Sequence, residues 1–325
     1  MSSRKIIPAF FDQVDLGFSQ KIPNFSFDIN KIDNVIVCGM GGSALAAQFL
    51  KRFYPIHIHR NYDLPEQFLN QRTLIVCISY SGNTEEVISA YEIAMGRNLP
   101  VVTISSGGIL RERAVHDKVP FIEVRSKGIE PRMAVVEQIC ILKNLLDSLQ
   151  LNNNSLKGFE VSENNIFPKE LNSNAKKIAD TLVDKVPLIY ASSDNTALAI
   201  YWKILFNESS KIPAFWNVFP EMNHNEIMQG GGGISWPEKL HIINLIDSDD
   251  HPKIQQRMEI TKNILEKSGM GVSTVSMKDG SRFEKIINSI ILGNLVSMSL
   301  AKNLGIDPID PGVREKFKAM MAKTQ

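Results

Sequence analysis

Hydroxyl side chains cluster where an apolar run ends. Residues 74–78 (LIVCI) have the length and β-branched content of a buried strand, and residues 79–84 (SYSGNT) follow before a helical pattern begins. A strand, a turn and a helix in this order direct backbone N–H groups and the positive end of the helix dipole towards an anion. Hydroxyls can donate to phosphate oxygens, and Gly82 lets the backbone approach closely. The segment predicts a phosphate-binding loop; the alternative is simple helix capping by Asn83 or Thr84.

A second loop of the same kind lies upstream. Residues 39–43 (GMGGS) follow the apolar run 34–38 and precede a helical pattern. The spacing is not G-x-G-x-x-G, and Arg60 and Asn61 stand where a dinucleotide-binding strand would end in an acidic residue. We therefore do not expect a dinucleotide. A second phosphate-contacting loop is favoured, with an N-cap at Ser43 as the alternative.

The elements around these loops predict an α/β protein. Apolar strand patterns alternate with helical patterns, which implies mainly parallel sheets flanked by helices. The predicted strands are residues 34–38, 56–60, 74–78, 101–104, 121–124, 186–191, 240–246 and 272–277. The main predicted helices are a short one near 7–14, then 44–52, 85–95, 133–149, 196–206, 254–267 and 283–304, with a short helix in the C-terminal tail.

Two domains are predicted. Residues 151–168 are rich in Asn, Ser and Gly and have no clear period, so they are assigned to a linker between residues 1–150 and 169–325. The segment SALA at 43–46 matches TALA at 196–199 in the same strand–loop–helix context. This faint repeat favours two copies of one α/β domain.

Composition excludes several classes of protein. The 325 residues contain 36 Lys and Arg against 35 Asp and Glu, so no electrostatic footprint for nucleic acid is visible. No apolar run approaches the roughly 20 residues that a membrane helix needs. Three cysteines, at positions 38, 77 and 140, read as buried apolar residues in a reducing compartment. A cytoplasmic protein that binds neither nucleic acid nor membrane is expected.

Three motifs resemble the sugar isomerase (SIS) domain. They are GMGGSA at 39–44, SYSGNTEE at 79–86 and SSGG at 105–108. In that family the hydroxyls of the second motif bind the phosphate of a sugar phosphate. The resemblance implies two SIS-type α/β/α domains. It also implies phosphate ligands at Gly42, Ser43, Ser79, Ser81 and Thr84.

Three further motifs narrow the resemblance. EPRMA at 130–134, FNES at 206–209 and EMNHNE at 221–226 resemble the bifunctional phosphoglucose/phosphomannose isomerases of archaea and some bacteria, over nearly the whole chain. That family implies a homodimeric, metal-independent enzyme of glycolysis and gluconeogenesis without cofactors. Its reaction interconverts glucose 6-phosphate and mannose 6-phosphate with fructose 6-phosphate through a cis-enediolate.

The resemblance also implies roles for individual residues. Glu208 is the base, His224 of the neighbouring subunit opens the sugar ring, and Arg132 stabilises the intermediate. A lysine near the C-terminus completes the site; Lys318 fits best, with Lys316 as the alternative. Aldose–ketose isomerisation does require a base, a group for the ring-oxygen proton and a cation near the developing oxyanion.

Other interpretations stay open at this stage. The enzyme could act on glucose 6-phosphate alone, or the chain could be a non-catalytic sugar-phosphate sensor built on the same domains. A sensor needs the phosphate loops but not Glu208, Arg132 and His224 together. His57 and His59 share one face of a strand, but with no third ligand at suitable spacing they indicate an edge strand and not a metal site.

Overall fold

Two parallel sheets organise the chain. The computed structural model describes residues 3–150, 168–233, 235–277 and 280–321. The first sheet has the order β2-β1-β3-β4-β5, with every neighbouring pair parallel. Its strands are β1 (Asn34–Cys38), β2 (Ile56–His59), β3 (Thr73–Ser79), β4 (Val101–Ser105) and β5 (Phe121–Glu123). Because the strands are parallel, the carboxyl ends of β1 and β3 meet at one edge, which brings the two predicted loops together.

The second sheet repeats this winding. Its order is β7-β6-β8-β9, again parallel throughout. The strands are β6 (Val186–Ser192), β7 (Phe215–Phe219), β8 (Leu240–Asp247) and β9 (Gly271–Met277). The same order, β2-β1-β3-β4, occurs in the first sheet, as expected for a duplicated α/β unit. Strand β7 was not predicted, because Phe215 and Trp216 on this edge strand are exposed and give no buried-strand pattern.

Helices cover the sheets and confirm the predicted α/β class. They are α1 (Ser3–Phe18), α2 (Gly41–Leu50), α3 (Glu85–Gly96), α4 (Gly108–His116), α5 (Val135–Ser148), α6 (Pro168–Thr181), α7 (Thr196–Leu205), α8 (Pro252–Lys267), α9 (Arg282–Asn303) and α10 (Gly312–Met321). None of the helices in the described ranges is long and apolar enough to cross a membrane.

Two helices differ from the sequence prediction. Helix α1 extends beyond the expected short helix at 7–14 at both ends. Helix α6 was not predicted, because most of its residues are polar. Its few buried apolar side chains, among them Leu171, Ala175 and Ala179, recur at helical spacing. Of the proposed linker 151–168, residue 168 is the first residue of α6, and the rest lies outside the described residues.

One apolar core joins the two halves. Helix α2 packs against both α5 and α7, so the two helices that carry the SALA and TALA repeat touch each other. Helix α9 packs against α6 and α7. The largest buried side chains at this junction belong to α7 and the turn after it, Tyr201, Trp202 and Phe206. This core fixes the end of α7, where Glu208 lies, against the first half of the chain.

The three cysteines are buried free thiols, as predicted. Cys38 and Cys77 are register partners on the neighbouring strands β1 and β3, and Cys140 lies in α5. A hydrogen bond to Cys38 and burial raise the pKa of the Cys77 thiol. Burial likewise raises the pKa of the Cys140 thiol. Both thiols are therefore held in the neutral form that behaves as a small apolar side chain.

Protonation of His241 is expected to destabilise the fold in acid. His241 lies on β8, and its Nε2 lies 2.8 Å from Ser273 Oγ and 3.4 Å from Thr181 Oγ1. Burial, with a smaller contribution from the charge of Lys185, lowers the pKa of His241 from 6.5 to about 4. Between these values the unfolded chain binds a proton that the folded chain does not. The free energy of unfolding should therefore fall by about 2–3 kcal/mol from pH 7 to about pH 4.

Urea unfolding across this pH range measures the effect, with H241N as the comparison. Asparagine can still pair with Ser273 but has no proton to gain, so the variant should lose less stability than the wild type as the pH falls. An equal loss in the two proteins would contradict the assignment to His241.

Candidate active site

The serine and threonine hydroxyls of the SYSGNT loop are hydrogen-bonded within the loop. Ser79 Oγ and Thr84 Oγ1 lie 2.8 Å apart, and Ser79 Oγ accepts a hydrogen bond from Gly82 N at 3.1 Å. Ser81 Oγ accepts from Asn83 N at 3.2 Å. Thr84 occupies the N-cap position of α3, yet its side chain makes no capping hydrogen bond. The hydroxyls are therefore organised at a helix N-terminus whose positive dipole end favours an anion.

The GMGGS loop lies between the SYSGNT loop and the segment that carries Arg132. Ser43 Oγ accepts a hydrogen bond from Tyr80 N at 3.1 Å, which joins the two loops. A Cβ on Gly42 would lie 3.3 Å from Pro131 O, so the backbone there approaches the neighbouring segment closely. Met40, and not Ser43, is the N-cap residue of α2, so the alternative of an N-cap at Ser43 is wrong.

The SSGG motif and the residue after it are hydrogen-bonded to the SYSGNT loop. Ser106 Oγ donates to Tyr80 O at 2.6 Å, and Asn83 Oδ1 accepts from Ile109 N at 3.0 Å. Gly82 has φ +73°, and a Cβ there would come within 1.8 Å of Gly107 O. Only glycine fits this close backbone contact.

Arg132 connects three distant parts of the chain. Its side chain is only 6% exposed, in the turn Pro131–Met133. Nε donates to Ser209 Oγ at 3.0 Å, Nη2 to Pro308 O at 2.7 Å and Nη1 to Glu130 Oε2 at 3.0 Å. Nη1 also lies 3.6 Å from Glu208 Oε2. The predicted cation and the predicted base are therefore neighbours, although they are far apart in sequence.

A cavity of about 330 Å³ contains this pair. Glu208 lies on a π-helical turn, Phe206–Ser210, that ends α7. Such turns occur often at functional sites because they redirect a side chain from the regular helix. The cavity is lined by Glu130, Arg132, Asn207, Glu208, Lys211, Asp310, Pro311, Gly312, Val313 and Arg314.

Sequence reasoning missed four charged residues of this cavity, Glu130, Lys211, Asp310 and Arg314. Glu130 was part of a quoted motif but had no role. Lys211 donates from Nζ to Asp310 O at 2.6 Å, and Arg314 lies 3.3 Å from Glu208 Oε2. The tail sequence VREKFK did draw attention to this region, but only its lysines were considered.

Two of the four predicted catalytic residues do not line the cavity, and neither do the predicted phosphate ligands of the two loops. His224 ends the turn Glu221–His224 and is exposed. Lys318 is also exposed, and its Nζ donates to Glu315 Oε1 on the same helix at 3.0 Å. Within one copy of the chain, then, the structure brings together Glu208 and Arg132 but neither His224 nor Lys318. Their roles stay predictions.

The matching edge of the second sheet carries a different arrangement. The carboxyl end of β8 contributes Asp247, which accepts from Lys285 Nζ at 2.8 Å and from Arg282. Burial acts to raise the pKa of Asp247, but the hydrogen bonds and charges around it, led by that from Lys285, hold the value below its usual range. Asn195, after β6, is buried and donates to Ser192 Oγ at 3.0 Å. In the second sheet, these ion pairs and hydrogen bonds lie at the carboxyl ends of the strands, the position that the SYSGNT loop has in the first sheet.

The two histidines of β2 lie on an edge strand, as predicted. The His57 ring packs at 4.3 Å from the ring of Phe68, and His59 Nε2 lies 3.2 Å from Tyr62 O. In the described ranges of the chain, no cluster of three or more His, Cys, Asp or Glu side chains is placed to hold a metal ion.

Comparison with known proteins places the chain in a family. Residues 171–321 match the model of the bacterial phospho-glucose isomerase C-terminal SIS domain. The chain is 32% identical to a bifunctional phosphoglucose/phosphomannose isomerase of Aquifex aeolicus over 333 residues, which covers 98% of each chain. The chain belongs to the bifunctional phosphoglucose/phosphomannose isomerase family. The family that the six motifs predicted is thus confirmed.

Further relatives agree with this assignment. A bifunctional phosphoglucose/phosphomannose isomerase of Caldicellulosiruptor bescii is 33% identical over 298 residues, covering 85% of this chain and 86% of the relative. Among solved structures, a hypothetical protein of Thermus thermophilus superposes with a TM-score of 0.69 at 14% identity, covering 99% of this chain and 93% of the other. The structural match shows a shared fold and the sequence matches show the family.

Proposed function

We propose that this protein is a cytoplasmic aldose–ketose isomerase that interconverts glucose 6-phosphate and mannose 6-phosphate with fructose 6-phosphate. The observation that carries the proposal is the pairing of Glu208 with the buried Arg132 at 3.6 Å in one cavity. The Arg132 segment also packs directly against Gly42 of the GMGGS loop. A base, a cation and an anion-binding loop in contact are the parts that isomerisation of a sugar phosphate needs.

In the proposed mechanism, the phosphate is anchored by the SYSGNT and GMGGS loops. Glu208 removes the proton from C2, the C–H electron pair forms the C1–C2 double bond of the enediolate, and the π electrons of the C1 carbonyl move onto O1. Arg132 stabilises the negative charge that develops on the substrate oxygens. A proton moves from O2 to O1, and the Glu208 carboxyl then protonates C1, so that the C2 carbonyl of the ketose forms. Because glucose 6-phosphate and mannose 6-phosphate differ only at C2, both give the same enediolate, and one base can serve both substrates.

A coupled assay that supplies the two aldoses separately, with and without a chelator, tests the proposal. Turnover of both, unchanged by the chelator, is expected. Turnover of neither would favour a sugar-phosphate sensor, and turnover of glucose 6-phosphate alone would restrict the enzyme to one aldose. Loss of activity on chelation would contradict the metal-independent mechanism.

Replacement of Thr84 by valine should weaken binding of the phosphate group. Valine keeps the shape of the side chain but removes the hydroxyl that pairs with Ser79. Because the phosphate takes no part in the chemistry, KM should rise roughly tenfold with kcat within about twofold, as expected for one hydrogen bond to a charged group. Steady-state kinetics on both aldoses, with inorganic phosphate as a competitive inhibitor, measures the change.

A matched control comes from the second half of the chain. Thr196 opens α7, and its hydroxyl donates to Ser193 O at 2.6 Å, away from the SYSGNT loop. T196V should leave KM unchanged. A T84V enzyme with wild-type KM and wild-type inhibition by phosphate would remove Thr84 from the binding site.

A homodimer that completes the active site is part of the proposal. His224 is exposed and does not line the cavity of its own chain. Helix α10, which borders that cavity, exposes Val313 (79%), Phe317 (62%) and Met320 (70%) on positions that fall along one side of a helix. An exposed apolar stripe of this kind beside an incomplete site supports a second copy of the chain as its cover.

Mixed dimers test the shared site. E208Q and H224A chains are co-expressed with different tags, and the heterodimer is purified through both tags. One of its two sites then has intact Glu208 from one chain and intact His224 from the other, so about half of the wild-type activity should return. Each variant homodimer should be inactive. A heterodimer as inactive as the two homodimers would contradict a site shared between subunits.

A further inference from the structure

Arg314 contacts the proposed base directly. It lies near the start of α10, and its Nη1 is 3.3 Å from Glu208 Oε2. Its Nη2 is 3.5 Å from Glu130 Oε2. Arg132 makes the same pair of contacts from the opposite part of the chain, to Glu130 Oε2 at 3.0 Å and to Glu208 Oε2 at 3.6 Å. Two guanidinium groups and two carboxylates thus form one group of ion pairs, and Arg314 Nε also lies 3.7 Å from Glu315 Oε1.

Both arginines contact the same oxygen of Glu208. The hydrogen bond from Arg314 goes to Oε2, and the nearest atom of Glu208 to each guanidinium is Oε2 as well. In the described part of the chain, Oε1 accepts no hydrogen bond, and the side chain is 35% exposed at the cavity. One oxygen of the carboxylate is therefore fixed, and the other is available to a bound molecule.

Residues that line the cavity also fix the backbone segment that carries Arg314. The segment before α10 is tied down by Arg132, which donates to Pro308 O at 2.7 Å, and by Lys211, which donates to Asp310 O at 2.6 Å. Asp310 Oδ1 in turn accepts from Gly312 N at 3.0 Å at the start of the helix. Helix α10 has no buried residue, so these polar contacts, and not a hydrophobic core, set the position of Arg314.

We propose that Arg314 is a positioning residue for the isomerisation, which with Arg132 fixes Oε2 of Glu208 so that Oε1 takes the substrate proton. This rests on the proposed function. Oε1 receives the C2 proton, the C–H electron pair becomes the C1–C2 double bond, and the π electrons of the C1 carbonyl move onto O1. After a proton has moved from O2 to O1, the carboxyl, whose own proton exchanges with solvent, protonates C1 and the C2 carbonyl forms. Fixing one oxygen limits rotation of the carboxylate, and small errors in the position of a base are costly to the rate of proton transfer.

Arg314→Gln and Arg314→Lys test the proposal against the wild type. R314Q removes the charge and should lower kcat roughly 10- to 100-fold with KM within about twofold, because only the position of the base changes. The kinetic isotope effect with substrate deuterated at C2 should increase, because proton abstraction becomes more rate-limiting. R314K keeps a cation near Glu208 and should recover most of the lost kcat.

An exposed arginine elsewhere provides the control. Arg97 makes one long ion pair, 3.9 Å to Glu66, so R97Q should keep wild-type kinetics. Thermal unfolding confirms that each variant is folded. A wild-type kcat and isotope effect in R314Q would overturn the proposal, as would a loss confined to KM, or an R314K enzyme no better than R314Q. A wild-type protein without isomerase activity would instead overturn the proposed function, and the role of Arg314 with it.

Discussion

Replacing Glu208 by glutamine is expected to lower kcat for both aldoses about 10³-fold, the contribution typical of a well-placed general base. Glutamine has the size of glutamate, and its side-chain oxygen can still accept a hydrogen bond from Arg314, so the cavity should keep its shape. It cannot take a proton from carbon. The SYSGNT and GMGGS loops are unchanged, so KM and inhibition by inorganic phosphate should stay close to wild type. Coupled assays with each aldose measure the loss.

Glu266→Gln is the matched control for this variant. Glu266 is an exposed residue of α8, and E266Q removes the same charge without touching the cavity. It should leave kcat unchanged. If E208Q kept near wild-type turnover, Glu208 would not be the base. If E208Q lost activity on one aldose only, the two substrates would need different bases.

Replacing Arg132 by lysine should lower kcat by about 10²-fold, in the range seen when one donor to a developing oxyanion is removed. Lysine keeps the positive charge but cannot reach Ser209, Pro308 O and Glu130 at once, as the guanidinium does. Because Arg132 is buried, its lost partners should also cost stability, by about 1–3 kcal/mol. Steady-state kinetics and urea unfolding measure the two effects separately.

R97K serves as the control, since Arg97 is exposed and its ion pair is long. It should change neither kcat nor stability. An R132K enzyme that is as stable as wild type and turns over within about threefold of it would show that a point charge is sufficient at this position. The guanidinium contacts would then have no part in catalysis.

The part of the site that was predictable from sequence is the part with local structure. The SYSGNT and GMGGS loops are each a strand, a turn and a helix within about a dozen residues, and short-range patterns determine such units. Their meeting at one edge of the sheet follows from the parallel order of β1 and β3. Glu208 and Arg132 were found through motifs whose resemblance to a family was specific. Nothing in either segment alone indicates that the two side chains meet.

The C-terminal wall of the cavity was not predictable in the same way. Arg314 reaches Glu208 only because Arg132 and Lys211 hold the backbone of residues 308–310. These contacts join residues about 100 or more positions apart, which no local pattern encodes. Helix α6 and strand β7 were missed for a related reason. Helix α6 is polar in composition and has only a few buried apolar side chains. Strand β7 is an edge strand with exposed aromatic side chains.

One site of this protein should form one enediolate from both aldoses. Incubation of the wild-type protein with fructose 6-phosphate in D₂O, followed by NMR of the products, tests it most directly. Glucose 6-phosphate and mannose 6-phosphate should both appear, both with solvent deuterium at C2, and E208Q should form neither. Formation of a single aldose, or formation of both aldoses by E208Q at the wild-type rate, would contradict a shared enediolate made by the Glu208 carboxylate.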